Sequence, residues 1–189
     1  MNILNSIFGH KLSAYYPSIP NEIDLRLRIP RKRLNKMTVL NVGVGNGHSG
    51  LARQLPYLNF KRLDLLDVHE PYLEAAKARV WNAEKVNFIP SDIRDFNTDI
   101  YDIVLMFDVL EHLPKEDSLA IMDRIKGKQV VFGPLEKHFR KNTFDAKSQD
   151  HLSLWTEKDF KERGYETEIL KNFHREGNDI FDALWAIKK

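Results

Sequence analysis

The chain contains no cysteine among its 189 residues. It therefore has no disulfide framework, no thiolate metal or iron–sulfur site and no cysteine nucleophile. Long apolar runs are missing too: runs such as Ile103 to Phe107 are far shorter than the ~18 residues that a membrane span needs. The start of the chain, Met1 to Leu12, lacks the basic and apolar blocks of a signal peptide. We therefore expect a soluble cytoplasmic protein without a membrane partner.

A strong charge of either sign is also absent. Lys and Arg together number 29 and Asp and Glu 27, which gives a net charge of +2. This balance does not demand a nucleic-acid partner. Basic residues are concentrated only between Arg26 and Lys36, which we interpret as a solvated face that leads into the first strand. The alternative is that this stretch contacts the phosphates of RNA.

Buried-strand runs alternate with helical patterns from residue 38 onward. The predicted strands are 38–43, 62–68, 86–89, 101–107, 129–133, 165–173 and 180–187, and the predicted helices are 49–55, 71–81, 115–125 and 156–163. This order predicts a doubly wound α/β fold, a mostly parallel seven-stranded sheet that ends in an antiparallel hairpin. Residues 38–189 would form this domain, and residues 1–37 a helical N-terminal lid with a basic lead-in.

Glycines follow the first predicted strand at alternating positions. Gly43, Gly45 and Gly47 allow a tight turn and a close approach of a ligand to the backbone. The predicted helix behind them offers unpaired N–H groups to an anionic group. In sheets of this kind ligands bind beyond the carboxyl ends of the strands, so this loop is a candidate binding site. The alternative is a plain strand-to-helix turn.

An acidic residue ends the second predicted strand. Asp67 lies twenty residues beyond Gly47 and can accept hydrogen bonds from both hydroxyls of a ribose. Asp64 is a competing candidate, but it lies inside the apolar run that Asp67 closes. The glycine loop and this acid together predict a cofactor that contains adenosine. A solvated aspartate at the end of a strand is the other interpretation of Asp67.

The third and fourth predicted strands end in further polar residues. Asp92 can accept a hydrogen bond from an adenine amino group, and Ile93 can flank the ring. The segment after the fourth strand brings three ionisable side chains to the same edge, namely Asp108, Glu111 and His112.

Four segments of the chain resemble, in order and at family spacing, the motifs of one known family. They are NVGVGNG at 41–47, LLDVHEPYLEAA at 65–76, FIPSDI at 88–93 and YDIVLMFDVLEHL at 101–113. They resemble the glycine, second-strand acidic, adenine-side and fourth-strand motifs of the class I S-adenosylmethionine-dependent methyltransferases. The resemblance covers about residues 38–189 and implies a Rossmann-like sheet and S-adenosylmethionine as the cofactor.

The resemblance also implies roles at the methionine end of the cofactor. The three glycines of the loop would line the methionine moiety. Phe107 would offer its backbone carbonyl near the methionine amino group, and Asp108 follows it at the cofactor edge. The family usually has an acid at the position of Asn41. Asn41 keeps hydrogen-bonding capacity but lacks the charge that favours a cationic amino group, so we expect an effect on affinity rather than on the identity of the cofactor.

The adenosine end of the cofactor would be held by residues after the second and third strands. By the same resemblance, Asp67 would bind the ribose hydroxyls with Val68 against the adenine. Asp92 would meet the adenine amino group, and Ile93 would flank the ring.

Two histidines are candidate general bases. The sulfonium makes the methyl group electrophilic, so the protein mainly aligns a nucleophile with the S–methyl bond, and a base is needed only where that nucleophile must lose a proton. His112 is the first candidate and His151 the second, because histidine titrates near neutrality. The alternative is structural: His112 would only cap or pack the next helix, and His151 would only hold its loop by a hydrogen bond.

A metal-binding variant offers another interpretation of the fourth-strand motif. The spacing of Asp108, Glu111 and His112 resembles one seen in some quinone and RNA-end methyltransferases. We expect no metal here, because the same letters occur in relatives without metal and the first position is Asp.

The acceptor is expected to be a small molecule. Without cysteine the chain cannot use the cysteine-adduct route of carbon-5 cytosine methylation. It also has no Asn/Asp-Pro-Pro-aromatic motif after the fourth strand, which argues against amino-methylation of bases. Three alternatives stay open: an RNA methyltransferase, a NAD-dependent Rossmann oxidoreductase and a non-catalytic cofactor-binding subunit. The oxidoreductase alternative lacks a completed G-x-G-x-x-G turn.

Overall fold

The computed structural model describes residues 29–45, 55–80, 85–135, 150–176 and 179–189. The predicted N-terminal lid helix, most of the predicted helix at 49–55 and Gly47 lie outside these ranges.

Seven strands form one sheet. They are β1 (Thr38–Val42), β2 (Arg62–Asp67), β3 (Val86–Pro90), β4 (Ile103–Phe107), β5 (Lys128–Leu135), β6 (Glu166–Glu176) and β7 (Asp179–Lys188). The order across the sheet is β3-β2-β1-β4-β5-β7-β6. The first five strands are parallel to one another, while β7 is antiparallel to both β5 and β6. The predicted fold, a mostly parallel sheet with a C-terminal antiparallel hairpin, is therefore confirmed.

Three of the described helices are shorter than predicted, and a fourth, at residues 31–34, was not predicted. They are α1 (Arg31–Leu34), α2 (Glu70–Lys77), α3 (Lys115–Arg124) and α4 (Glu157–Lys161), and 3-10 helices span Leu55–Leu58 and Leu110–His112. Helix α4 begins at a capping box, where the backbone N–H of Thr156 donates to Asp159 Oδ2 at 2.8 Å. None of the described helices has the length and apolar character needed to cross a membrane.

Apolar side chains cover both faces of the sheet. Alternating residues of the central strands enter two separate clusters, for example Val39, Leu65 and Leu105 on one face and Leu40, Leu66 and Val104 on the other. Strand β4 is buried along its whole length, as a central parallel strand should be. Ile29 and Leu34 also pack into the first cluster, so the buried core begins before residue 38.

Strand β5 is longer than predicted. The sequence predicts a strand that ends at Gly133, but β5 continues through Pro134 to Leu135. The antiparallel partner β7 pairs with it as far as Leu135 and Asp182. This extension depends on a strand some fifty residues away in sequence, which local propensity cannot reveal.

Candidate functional site

The order of the sheet reverses between β1 and β4, and the candidate residues gather at the carboxyl edge beside this point. The loop after β1 turns through two glycines in the left-handed region, Gly43 at φ +72° and Gly45 at φ +61°. The N–H of Gly43 donates to the carbonyl of Leu66 at 2.9 Å. A Cβ at Gly43 would collide with Cγ2 of Val109, in the loop after β4. The glycine loop is thus packed between the ends of its two neighbouring strands.

Asp67 ties the glycine loop to the end of β2. Its side chain is buried and accepts the N–H of Gly45 and the N–H of His69, each at 2.9 Å. The next residue, Val68, is by contrast 58% exposed, which is unusual for a valine beside a core strand. The carboxylate of Asp67, fixed by two backbone N–H groups, therefore lies next in sequence to the exposed apolar side chain of Val68 at the carboxyl edge.

Asp64, the competing candidate, belongs to a buried network inside the sheet. It forms an ion pair with Arg62 at 2.7 Å and accepts hydrogen bonds from Asn87 and from the Tyr101 hydroxyl. Burial alone would raise the pKa of Asp64, but these hydrogen bonds outweigh it and lower the pKa. Since its partners hold it inside the sheet, Asp64 has a structural role, and this supports the choice of Asp67 as the candidate ribose ligand.

Asn41 lies near the carboxyl end of β1 and is only 1% exposed. Neither Oδ1 nor Nδ2 has a hydrogen-bond partner within the described part of the chain. In register it is flanked by Leu65 on β2 and Leu105 on β4. A buried amide in such surroundings costs about 1–3 kcal/mol unless a ligand satisfies it. This unsatisfied amide beside the glycine loop fits the polar methionine end of the implied cofactor.

The residues after β3 are engaged within the protein. Arg94 donates to Asp92 through its backbone N–H at 2.8 Å and through its guanidinium at 2.6 Å. Hydrogen bonds from this guanidinium lower the pKa of Asp92. An adenine amino group would therefore have to compete with Arg94 for this carboxylate. Ile93 is 5% exposed and packs in the core, so the more accessible apolar surface for a ring is that of Val68.

The end of β4 combines buried aromatic packing with backbone strain. The ring of Phe107 is buried against Trp185, with 5.2 Å between the ring centroids. The following residue, Asp108, has φ +52°, which is uncommon for a residue other than glycine. Its N–H donates to the carbonyl of Phe132 at 2.8 Å. Such backbone costs of order 1–3 kcal/mol and is concentrated at functional sites.

The two candidate bases lie side by side. The rings of His112 and His151 are edge to face, with 4.7 Å between their centroids. Nδ1 of His112 is 3.2 Å from the carbonyl oxygen of Asp150. The buried carboxylate of Glu111 belongs to the same group, since candidate ligand atoms of Glu111 and both histidines all lie within 4.8 Å of one another. Sequence reasoning placed Glu111 at this edge but did not join it to His151.

Comparison with known families agrees with this geometry. Residues 39–127 match the family model described as a methyltransferase domain. No protein of curated function matches the chain.

Three solved structures that share this fold are methyltransferases. The N-methyltransferase NodS from Bradyrhizobium japonicum WM9 is 17% identical, with 89% of this chain and 95% of that chain covered and a TM-score of 0.54. The magnesium protoporphyrin IX methyltransferase ChlM from Synechocystis PCC 6803, crystallised with S-adenosylhomocysteine, is 16% identical, with 100% and 89% covered and a TM-score of 0.60. The methyltransferase domain of bacterial CtHen1 is 20% identical, with 90% and 98% covered and a TM-score of 0.55.

Proposed function

We propose that this chain, a class I S-adenosylmethionine-dependent methyltransferase, transfers the methyl group to a small-molecule acceptor at the edge beside β1 and β4. S-adenosylmethionine is its cofactor, in place of the nicotinamide that the oxidoreductase alternative requires. The assignment of the site depends on one observation. Asp67, which accepts a hydrogen bond from the glycine loop, and the unsatisfied buried amide of Asn41 lie at the same edge of the sheet.

The residues present fit this cofactor. Asp67 would hold the ribose hydroxyls, since a carboxylate has about four acceptor positions and two backbone N–H groups occupy only part of them. Val68 would lie against the adenine, while Asn41 and the glycine loop would hold the methionine end. Asp92 would accept a hydrogen bond from the adenine amino group, which would compete with Arg94 for this carboxylate. Phe107 and Asp108 would close the cofactor edge from β4.

The cofactor supplies the electrophilic methyl group, and the chain orients and shields the reactants. The loops after β1, β2 and β4 contact one another, so they hold the cofactor side of the site in one arrangement. His112 lies beyond Asp108 along the loop after β4, and His151 faces it from the segment before α4. The two imidazole rings would then lie on the acceptor side.

The charge of the edge supports a small-molecule acceptor. Four carboxylates lie along it, those of Asp67, Asp92, Asp108 and Glu111, and that of Asp92 is paired with a cation, Arg94. The excess of negative charge disfavours a phosphate backbone. The net charge of the whole chain is only +2. ChlM, which shares the fold, is named for magnesium protoporphyrin IX, a small-molecule acceptor. Lys32, Arg33 and Lys36 are exposed, as expected for a solvated basic face.

The acceptor class can be tested with methyl-labelled S-adenosylmethionine. The chain is incubated with the low-molecular-weight fraction of a cell extract and, separately, with total RNA. We expect label in small molecules and none in RNA, and Asp67→Ala should abolish the labelling. Label in RNA that is lost at high salt, and with Lys32, Arg33 and Lys36 changed to alanine, would overturn the proposed acceptor class.

Replacing Asn41 should move stability and cofactor affinity in opposite directions. Asn41→Leu removes the unsatisfied buried amide, so the free energy of unfolding should rise or stay unchanged. Binding of S-adenosylhomocysteine should weaken about 10- to 100-fold through the loss of a hydrogen bond of ~1.5–3 kcal/mol to a charged group. Calorimetric titration and thermal melting measure the two effects.

Asn41→Asp is the matched variant. It restores the negative charge and should bind S-adenosylmethionine more tightly than the unaltered chain, because the methionine amino group is cationic. Unchanged affinity in Asn41→Leu would show that the amide does not contact the cofactor.

A further inference from the structure

We infer that Arg94 sets the affinity and the base selectivity of the proposed cofactor site. It occupies Asp92 when no cofactor is bound and passes to Asp117 when an adenine binds. The inference rests on the proposed function, because Asp92 is the proposed acid on the adenine side. The guanidinium of Arg94 donates to Asp92 from Nη2 at 2.6 Å and from Nε at 3.1 Å to both carboxylate oxygens. Both oxygens of Asp92 are therefore engaged before a base arrives.

The segment that carries Asp92 lies beside the residues proposed to hold the nucleoside. The N–H of Ser91 donates to the carbonyl oxygen of Asp67 at 3.2 Å, which joins the end of β3 to the end of β2. Asp67 is followed directly by the exposed side chain of Val68, the proposed surface for the adenine. Arg94 is therefore close in the fold to the adenine end of the proposed site.

The backbone around Arg94 is anchored, while its side chain is accessible. The guanidinium of Arg124, at the end of α3, donates to the carbonyl oxygens of Ile93, Arg94 and Phe96. The N–H of Arg94 donates to Asp92 Oδ1 at 2.8 Å. The side chain of Arg94 is by contrast 48% exposed. Because exposed side chains change rotamer rapidly, the guanidinium can change partner while the loop keeps its conformation.

Asp117 offers the guanidinium a second carboxylate. Its Oδ2 lies 3.5 Å from Nη1 of Arg94, a longer contact than those with Asp92. Asp117 lies in the first turn of α3, where the helix dipole favours a negative charge. When an adenine amino group donates to Asp92, the guanidinium would move closer to Asp117 and stay paired. The loss of the ion pair with Asp92 would be offset in part by this contact.

Base selectivity would also depend on Arg94. A carboxylate only accepts hydrogen bonds, so Asp92 by itself selects a base with an amino group. A guanidinium only donates, so Arg94 would bind the carbonyl oxygen that replaces the amino group in hypoxanthine. Removal of the guanidinium would therefore favour adenine in two ways. Asp92 would be released, and the donor to a carbonyl oxygen would be lost.

Titration calorimetry tests the inference with two ligands, S-adenosylhomocysteine and S-inosylhomocysteine, which carries hypoxanthine in place of adenine. Arg94→Met keeps an apolar stem but removes the guanidinium. We expect it to bind S-adenosylhomocysteine about fivefold more tightly than the unaltered chain, because a partly exposed ion pair no longer competes. Its affinity for S-inosylhomocysteine should stay unchanged or fall. Equal changes for both ligands would overturn the inference, since they would show a general change of the loop.

Asp117→Asn tests the second partner. It should weaken binding of S-adenosylhomocysteine about threefold, because the displaced guanidinium would lose its other carboxylate. The same substitution in the Arg94→Met background should have no effect, and a double-mutant cycle measures this coupling. Normal binding by Asp117→Asn in the presence of Arg94 would overturn the transfer to Asp117.

Lys126→Met is the matched control. It also removes one cation and an exposed ion pair, that with Asp99, but both residues precede their strands and lie at the opposite edge of the sheet. This variant should bind S-adenosylhomocysteine like the unaltered chain. If it binds more tightly to the same extent as Arg94→Met, net charge explains the effect and the inference is wrong.

Thermal melts show whether each variant folds, and NMR of the unaltered chain gives a result that needs no folded Arg94→Met. The Nε–H signal of Arg94, assigned by its loss in Arg94→Lys, should shift on saturation with S-adenosylhomocysteine, and an unmoved signal would overturn the inference. No binding of this ligand by the unaltered chain or by Arg94→Met would overturn the proposed cofactor site and this inference together. Binding that Arg94→Met does not tighten would overturn this inference alone.

Discussion

Asp67→Ala should weaken binding of S-adenosylhomocysteine by about 100-fold. The ribose hydroxyls would lose two hydrogen bonds to the carboxylate, each worth ~1.5–3 kcal/mol for a charged acceptor. A loss of about 2.7 kcal/mol already corresponds to about 100-fold in affinity. The glycine loop would also lose the bond from Gly45 N–H to Asp67, so the cofactor would meet a less well fixed loop. Titration calorimetry measures the affinity, and a thermal melt confirms that the variant is folded.

Asp64→Asn is the matched control, because the two aspartates lie on the same strand. Asp64 is held by Arg62, Asn87 and Tyr101, so its replacement should lower stability but leave cofactor affinity unchanged. Asp67→Asn keeps one acceptor oxygen and should give an intermediate loss of about 10-fold. If Asp67→Ala binds normally while Asp64→Asn does not, the ribose ligand has been assigned to the wrong residue.

Gly43→Ala should lower the free energy of unfolding by about 2–4 kcal/mol. An alanine at φ +72° pays for the left-handed backbone, and its Cβ collides with Val109. For a chain of this size the melting temperature should fall by roughly 5–15 °C. Thermal and denaturant unfolding followed by circular dichroism measure the change.

Two further variants separate the backbone cost from the collision. Gly45→Ala has a similar φ of +61° but meets no described atom within 4 Å, so it should lose only about 1–2 kcal/mol. Adding Val109→Ala to Gly43→Ala should recover the part that comes from the collision, seen as a coupling of about 1 kcal/mol or more in a double-mutant cycle. Equal losses in the two glycine variants would show that the contact with Val109 does not constrain the loop.

Most of the fold follows from local patterns in the sequence. The apolar run at the centre of the chain predicts a strand buried on both faces, and β4 is such a strand. Thr156 and Asp159 predict the start of α4, because a capping box depends only on residues three apart. The length of β5 could not be predicted in this way, since its last residues pair with β7 from a distant part of the chain.

The candidate site, like the fold, was predictable only where it depends on local sequence. Asp67 could be chosen over Asp64 because the end of a strand is visible as the end of an apolar run. The bonds that hold Asp92 were not visible, because a partner two residues away competes with a ligand that the sequence cannot show. The unsatisfied state of Asn41 was equally hidden, since hydrogen-bond satisfaction depends on every neighbour in space.

By itself, the sequence determined the parallel sheet, the glycine loop, the acid at the end of β2 and the resemblance to methyltransferases. These features depend on periodicity, on backbone conformations that favour glycine and on short spacings, all of which are local. Only the tertiary structure joined His151 to Glu111 and His112, because hydrogen bonds between two segments 38 residues apart decide that contact. Packing and long-range hydrogen bonds thus brought two separately predicted bases into one cluster with a buried carboxylate.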